Sequence, residues 1–334
     1  MKTLGTLAAV MLLGLMGLSS APGAEPIKLR FSHVVAPDTP KGKGAEEFRR
    51  LATLYTNGKV EVEVYPSSKL YRDLEELEAL QLGAVEMVAP SLAKFGPLGA
   101  KEFELFDLPY LFSDRAALRA VTQGPIGKAL LQGLESKGIR GLAFWDNGFK
   151  LMSASRPLRG PEDLAGLRMR IQPSRVLQAQ MRALGVVPQV IPLPEVRQAL
   201  QMEMIDGTEN PPSNMLVQRL HDVQSHATIS NHGYLGYAVI VNKAFWDGLP
   251  SDVRRALERA MDEATAYTNA VAEADNERAL TIMRAAGQTQ FHQQTAAERD
   301  AWIAALEPVY ADVAARIGWD RIEAIRSAVT RATQ

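Results

Sequence analysis

The chain of 334 residues contains no cysteine. That absence removes disulfides, thiolate metal sites and thiol nucleophiles together. An excess of charge of either sign is lacking too: 37 lysines and arginines stand against 38 acidic residues, a formal net charge of −1. This balance gives no electrostatic reason to expect nucleic acid or an anionic membrane as partner. Beyond the amino-terminal segment, no uncharged apolar stretch is long enough to span a bilayer. Catalytic signatures are missing as well, with no G-x-S-x-G, no H-E-x-x-H and no phosphate-cradling glycine loop. Gly124-Pro125-Ile126-Gly127-Lys128 has too few residues between its glycines for a P-loop, and Ala129 stands where Ser or Thr belongs. His221 and His226 are wrongly spaced for one helix face and lack a third ligand, so no metal site is expected.

What is present begins with a targeting segment. Lys2 supplies a positive start, residues 4–18 are an apolar run too short to span comfortably, and Ala21-Pro22-Gly23-Ala24 offers a cleavage site. Residues 1–24 read as a signal peptide cut near 23–24, leaving an exported chain that does not span the membrane. No cysteine follows the run, so a lipid anchor is not available. The length that remains suits two domains of ordinary size.

Strands and helices then alternate. Ile27, Leu29 and Phe31 predict a strand ending near His33, and 40–56 a helix closed by Asn57-Gly58. Val60, Val62 and Val64 predict a strand with one wet face or edge. Residues 73–82 predict a helix, and 85–88 a strand running into Ala89-Pro90-Ser91, with Ser91 and Lys94 just past its end. A strand over 139–145 is followed by a turn at Asp146-Asn147-Gly148, the first candidate for a crossing between lobes.

The stretch 161–214 carries the densest pattern. Leu167, Met169 and Ile171 alternate with Arg168 and Arg170, which puts an arginine near the carboxyl end of a strand. Ser174 reads as an N-cap for a helix with the stripe Val176, Leu177, Met181 and Leu184, stopped at Gly185. A strand over 186–191 precedes a helix opened by Pro194, with Val196, Leu200 and Met204 on one face and Gly207 as its end. Strand, helix, strand, helix with short connections predicts parallel strands covered by helices. In such sheets ligands sit beyond the carboxyl ends of the strands, where Arg170 and a Thr208-Glu209-Asn210 loop would project. A guanidinium fork facing an amide suits a carboxylate. Taken alone, Arg170 reads more readily as a surface residue or half of a structural ion pair than as a ligand residue, and Asn210-Pro211-Pro212-Ser213-Asn214 more readily as a loop stop before a helix than as a binding element.

Residues 234–241 predict a fully buried strand that returns the chain to the first lobe. From 251 to 286 there is neither glycine nor proline, and Val253, Leu257, Met261 and Ala264 keep a helical stripe. A continuous helix there is about 54 Å long, which suits a strut bridging two lobes. Thr295 and Glu298 have the spacing of a capping box. Pro308 is expected to kink or end the helix it opens, and Gly318 separates that helix from the last one.

Several segments, in this order, resemble the solute-binding receptors of tripartite ATP-independent periplasmic (TRAP) transporters, in the dicarboxylate-binding branch. They are FSHVVAPDTPKGKGAEEF, VYPSSKLY, WDNGFKLMSA, GLRMRIQPS, IDGTENPPSN and SNHGYLGYAVIVNKAFWDGLP. The resemblance covers almost the whole mature chain. It implies an α/β, two-lobed periplasmic binding protein fold with hinge strands and a long lobe-spanning helix. Lobe I would be 25–147 with 236–265, and lobe II 148–235 with 266–334. The family's ligand arginine falls on Arg170 and its partner asparagine on Asn210. A further cationic position falls on Lys150, where some relatives have arginine. Ser91, Lys94 and His33 match cleft positions by order along the chain, with Gln172 and Tyr237 as outer candidates. Implied, too, are a periplasmic, monomeric receptor without cofactor or catalytic residue, a small dicarboxylate such as malate, succinate or fumarate as ligand, and membrane permease subunits as partners. A 2-oxo, aromatic or sugar acid as ligand, a sensor as partner, or an exported enzyme on an acidic metabolite are the competing expectations.

Overall fold

The computed structural model describes residues 25–333, and the expected signal peptide at 1–24 lies outside them. The chain opens with β1 (Ile27–Ser32), α1 (Pro40–Tyr55), β2 (Val60–Tyr65), α2 (Glu76–Gln81) and β3 (Met87–Val88). Helices α3 (Arg115–Thr122) and α4 (Pro125–Gly133) lead to the long strand β4 (Ile139–Phe149). The middle of the chain forms β5 (Leu151–Ala154), β6 (Arg168–Ile171), α5 (Arg175–Ala183), β7 (Val187–Val190) and α6 (Val196–Gln201). Next come β8 (Gly207–Asn210), α7 (Pro212–Val217), β9 (His226–Ile229), β10 (Tyr234–Asn242) and α8 (Lys243–Gly248). The carboxyl-terminal part is α9 (Ser251–Ala286), β11 (Gln290–Gln293), α10 (Ala296–Ile317) and α11 (Trp319–Ala332).

The strands sort into two sheets, one per lobe. The first has the order β2-β1-β3-β10-β4, and the second β11-β9-β5-β8-β6-β7. In the first, β1 runs parallel to β2 and β3, while β10 is antiparallel to β3 and β4. In the second, β6 lies between parallel partners β7 and β8, as the strand–helix alternation predicts. The chain crosses between sheets at Lys150 and again between β9 and β10, whose residues are all buried.

Helix α9 is the third crossing. Its 36 residues run without interruption to Gly287, which ends it at φ 69°. Val253, Leu257, Met261 and Ala264 pack into the core of the first lobe, whereas Ala279 and Met283 belong to a core of the second. Close approach of α1 depends on Gly44, where a Cβ would meet Thr268 Oγ1 at 2.1 Å. Helix α10 lies against α5 and α11 against α3. The capping box forms: Thr295 Oγ1 accepts from Glu298 N, and the Glu298 carboxylate accepts from Thr295 N. Pro308 sits inside α10, which continues to Ile317 rather than ending.

Four local expectations are corrected. Asp146-Asn147-Gly148 is not a turn but the end of β4, paired with β10 through Asp146↔Gly236 and Gly148↔Leu235. Gly148 takes φ 140°, which keeps the strand extended beside Asn276. The helix expected over 73–82 is only α2, because the carboxylate of Asp73 is used outside it, accepting from Leu193 N. Helix α6 stops at Gln201, leaving Met202 and Met204 exposed instead of on its apolar face. Gly207 therefore begins β8, and Thr208-Glu209-Asn210 is a buried strand rather than a loop.

Candidate functional site

Arg170 is fixed by its strand. Met169 and Ile171 on either side of it are buried core residues, so the alternation of β6 sends the guanidinium to the other face, at the carboxyl end. Its Nε donates to Ile191 O at 2.9 Å, and no other hydrogen bond of the guanidinium is found among the described residues. Asn210 stands at the same end of the neighbouring strand β8, its Nδ2 donating to Thr208 Oγ1 at 3.1 Å. Both side chains line a small cavity between the two sheets.

The opposite wall comes from the first lobe. Ser91 follows β3 and pairs across its backbone with Tyr237 of β10. Gln172, just past β6, donates from Nε2 to Ser91 Oγ at 2.7 Å, so one hydrogen bond joins the lobes at the cavity. Asp73 makes a second link through Leu193 N at 3.0 Å, and Val34 and Val35 pack in one core with Leu193. These contacts hold the two walls together across the cavity. Arg170, Asn210, Lys94, Ser91 and Tyr237 are all buried, and Gln172 is half-buried.

Three polar residues that sequence reasoning missed also line it, Lys41, Asp73 and Asn214, together with the apolar Val34, Val35, Leu193 and Leu235. Lys41 is fully buried. Its Nζ donates to Ala89 O at 2.9 Å and lies 3.9 Å from the centre of the Tyr237 ring, a cation–π contact. Lys94 is held between the carboxylates of Asp73 and Glu76. A signal for Lys41 was present. It is the second residue of α1, after the Thr39 N-cap, and shares the buried stripe with Gly44, Ala45 and Phe48. A cation at a helix amino terminus opposes the helix dipole, and such a local conflict marks a position held for another reason.

Electrostatics follow from burial. Desolvation pushes the Asp73 carboxyl up, but the charge and hydrogen bond of Lys94, helped by Arg170, outweigh it and hold it well below the usual carboxylate range. Lys94 is likewise raised, since Asp73 and Glu76 overcome its desolvation. Glu76, fully enclosed, is pushed up by burial. Lys41 has no carboxylate in contact among the described residues, and burial brings it down to about 7. Burial also lowers Arg170, against Asp73 and Glu209. The cavity is thus lined by three cations and one carboxylate, with Glu76 behind Lys94.

Two expected residues stand elsewhere. Lys150 does not line the cavity; its Nζ bonds Glu209 Oε1 at 2.7 Å, with both side chains buried. The reason is strand alternation again: Thr208 and Asn210 share one face of β8, and Glu209 points to the other. There Glu209 also meets His232 Nε2 at 2.9 Å, and His232 Nδ1 meets Ser230 Oγ at 2.7 Å. This Ser–His–Glu row looks like a hydrolase triad, but its members are buried and none of them lines the cavity. His33 is buried at the end of β1, outside the lining, and desolvation together with the charge of Lys41 brings it to about 3. A larger groove on the outer surface, among Phe103, Ile126, Leu130 and Ile325, is mainly apolar and gathers no such set of charges. No group of residues able to hold a metal ion occurs among the described residues. No helix among them is long and apolar enough to cross a membrane.

Two α/β lobes closed over a cation-rich cavity, bridged by strands and a strut helix, define a solute-binding receptor. Comparison with known proteins gives the family. Residues 31–317 match the model for DctP, bacterial extracellular solute-binding protein, family 7. The C4-dicarboxylate-binding periplasmic protein DctP of Rhodobacter capsulatus is 63% identical over 327 residues, 98% of each chain. A TRAP periplasmic solute-binding protein from Shewanella oneidensis, solved with bound succinate, is 41% identical with a TM-score of 0.89, covering 91% of this chain and 99% of that one. One from Pseudomonas aeruginosa PAO1, with bound L-malate, is 43% identical with a TM-score of 0.83, covering 86% and 100%. The chain belongs to bacterial extracellular solute-binding protein family 7, whose members are receptors rather than enzymes.

Proposed function

We propose that this protein captures a C4-dicarboxylate, such as succinate, malate or fumarate, in the cavity between its lobes and delivers it to the membrane permease of a TRAP transporter. One carboxylate rests on the fork of Arg170 with the Asn210 amide as a second donor, the bidentate geometry that favours arginine over lysine. The other carboxylate faces Lys41, with Lys94 beside it. Lys150 is not part of this reading, because it is already paired with Glu209. Ser91, Gln172, Asn214 and Tyr237 supply the neutral polar lining.

The observation that carries the reading is the three buried cations around one small cavity, only partly balanced by Asp73 and Glu76. Buried charges are retained when they are paired, and a dianion provides the pairing that the chain itself leaves incomplete. The names of the succinate- and malate-bound relatives point the same way. Closure excludes water and strengthens each charged contact. The moving bodies are lobe I (25–147 with 236–265) and lobe II (148–235 with 266–334), in a monomer exported to the periplasm after loss of residues 1–24.

Calorimetry against a panel of small organic acids tests this. Succinate, malate or fumarate is expected to bind at least tenfold more tightly than the corresponding monoacids, aromatic acids or sugar acids. A panel in which a monocarboxylate or sugar acid leads would remove the two-pole account of the cavity.

A further inference from the structure

The charged groups around the cavity do not sum to a comfortable host for a doubly charged ligand. Lys41, Lys94 and Arg170 face Asp73 and Glu76, all of them buried. Fully ionised, the set carries one net positive charge, and a dianion converts this to one net negative charge among buried side chains. Within that set one oxygen is unused: Glu76 Oε1 bonds Lys94, while Oε2 is buried with no hydrogen-bond partner among the described residues. Lys41, for its part, has among the described residues only a carbonyl and an aromatic ring against its ammonium. We propose, resting on the dicarboxylate reading above, that enclosing the dianion draws about one proton from solvent onto the Lys41–Glu76 pair, so that affinity for diacids falls as the medium becomes alkaline.

The sign follows from the positions of the groups. Burial brings Lys41 to about 7, so part of the population is neutral just above neutrality. An anion set against Lys41 favours its charged form, and the same anion near Glu76 favours that carboxyl's protonated form. Both effects bind protons with the ligand, and linkage then requires weaker binding at higher pH. The groups facing the pair do not supply the proton in its place. Asp73 and Lys94 hold each other ionised, Arg170 stays charged, and Tyr237 is pushed up by burial. His33 at the end of β1, near Lys41, is neutral throughout this range. The two members titrate as a coupled unit, so the proton belongs to the pair.

The test is calorimetry of the purified protein with succinate at pH 7.5, in buffers of low and high ionisation enthalpy, repeated from pH 6.5 to 8. Uptake of roughly 0.5 to 1 proton per succinate is expected. With Lys41 near 7, affinity should be about eightfold weaker at pH 8 than at pH 6.5. Lys41→Arg, whose guanidinium stays charged, and Glu76→Gln, which cannot ionise, should each change the proton number. Zero uptake or net release, with affinity flat across the range, overturns the inference while leaving the dicarboxylate reading intact. Wild-type proton numbers in both variants would also overturn it. If succinate gives no binding heat at any pH in either buffer, the dicarboxylate reading itself fails.

Discussion

Replacing Arg170 by alanine removes the element on which the cavity depends most. The guanidinium is buried, and Ile191 O accounts for its Nε, so the two terminal nitrogens are what remain for a ligand carboxylate. At a charge separation of about 4 Å and an effective dielectric near 20, one unit pair is worth roughly 4 kcal/mol. Removing one partner of a desolvated, hydrogen-bonded pair costs about 2–5 kcal/mol, and the two figures agree. The dissociation constant for succinate should therefore rise by about 30- to several-thousand-fold. Arg170→Lys keeps the charge but loses the fork, and should fall between wild type and alanine. Calorimetry reads the affinity, and thermal unfolding of the ligand-free variants separates lost binding from lost folding. A folded Arg170→Ala protein that binds succinate within threefold of wild type would refute the anchoring role.

Other perturbations separate binding from architecture. Lys150→Met leaves Glu209 buried with only His232, so it should cost about 3–5 kcal/mol of stability, seen as a lower melting temperature. Its effect on diacids and monoacids should be equal, and a selective loss of diacid binding would return Lys150 to the cavity. Glu209 is held down to about 2 because Lys150 and His232 outweigh its desolvation. Its folded value lies below the unfolded one, so its contribution is complete above about pH 4.3 and is lost as pH falls toward 2. Melting temperatures in that acid window should drop more steeply for wild type than for Glu209→Gln. Asn276 of α9 donates from Nδ2 to Asn147 O at 2.5 Å and accepts from Ser213 N at 2.9 Å, where the chain crosses between lobes. Asn276→Ala leaves both backbone groups unpaired, with an expected loss of about 1–3 kcal/mol by chemical denaturation. A change below about 0.5 kcal/mol would mean that water replaces the side chain there.

Long and strongly patterned elements were readable in the sequence. Helix α9 could be placed to the residue because nothing between Ser251 and Ala286 interrupts it and one stripe persists. The buried, largely apolar β10, the Ser174 cap of α5 and the capping box of α10 follow from local chemistry alone. Arg170 was legible because a short strand fixes which way its side chains point. The less legible features depend on partners far away in the chain. Asp73 looked like a helix residue until Leu193, more than a hundred positions later, supplied a backbone donor. Lys150 looked like a free cation because nothing near it in sequence announces Glu209. Lys41 was hidden inside an amphipathic helix whose buried face it shares with glycine, alanine and phenylalanine. The strand at Gly207–Asn210 read as a loop because its polar residues are satisfied only by neighbouring strands and by one another.

A crystal structure grown with succinate is the most direct measurement. One carboxylate should lie within hydrogen-bonding distance of both terminal nitrogens of Arg170 and of the Asn210 amide, and the other beside the ammonium of Lys41. A succinate bound elsewhere, or one whose second carboxylate reaches Lys150 instead, would contradict the account.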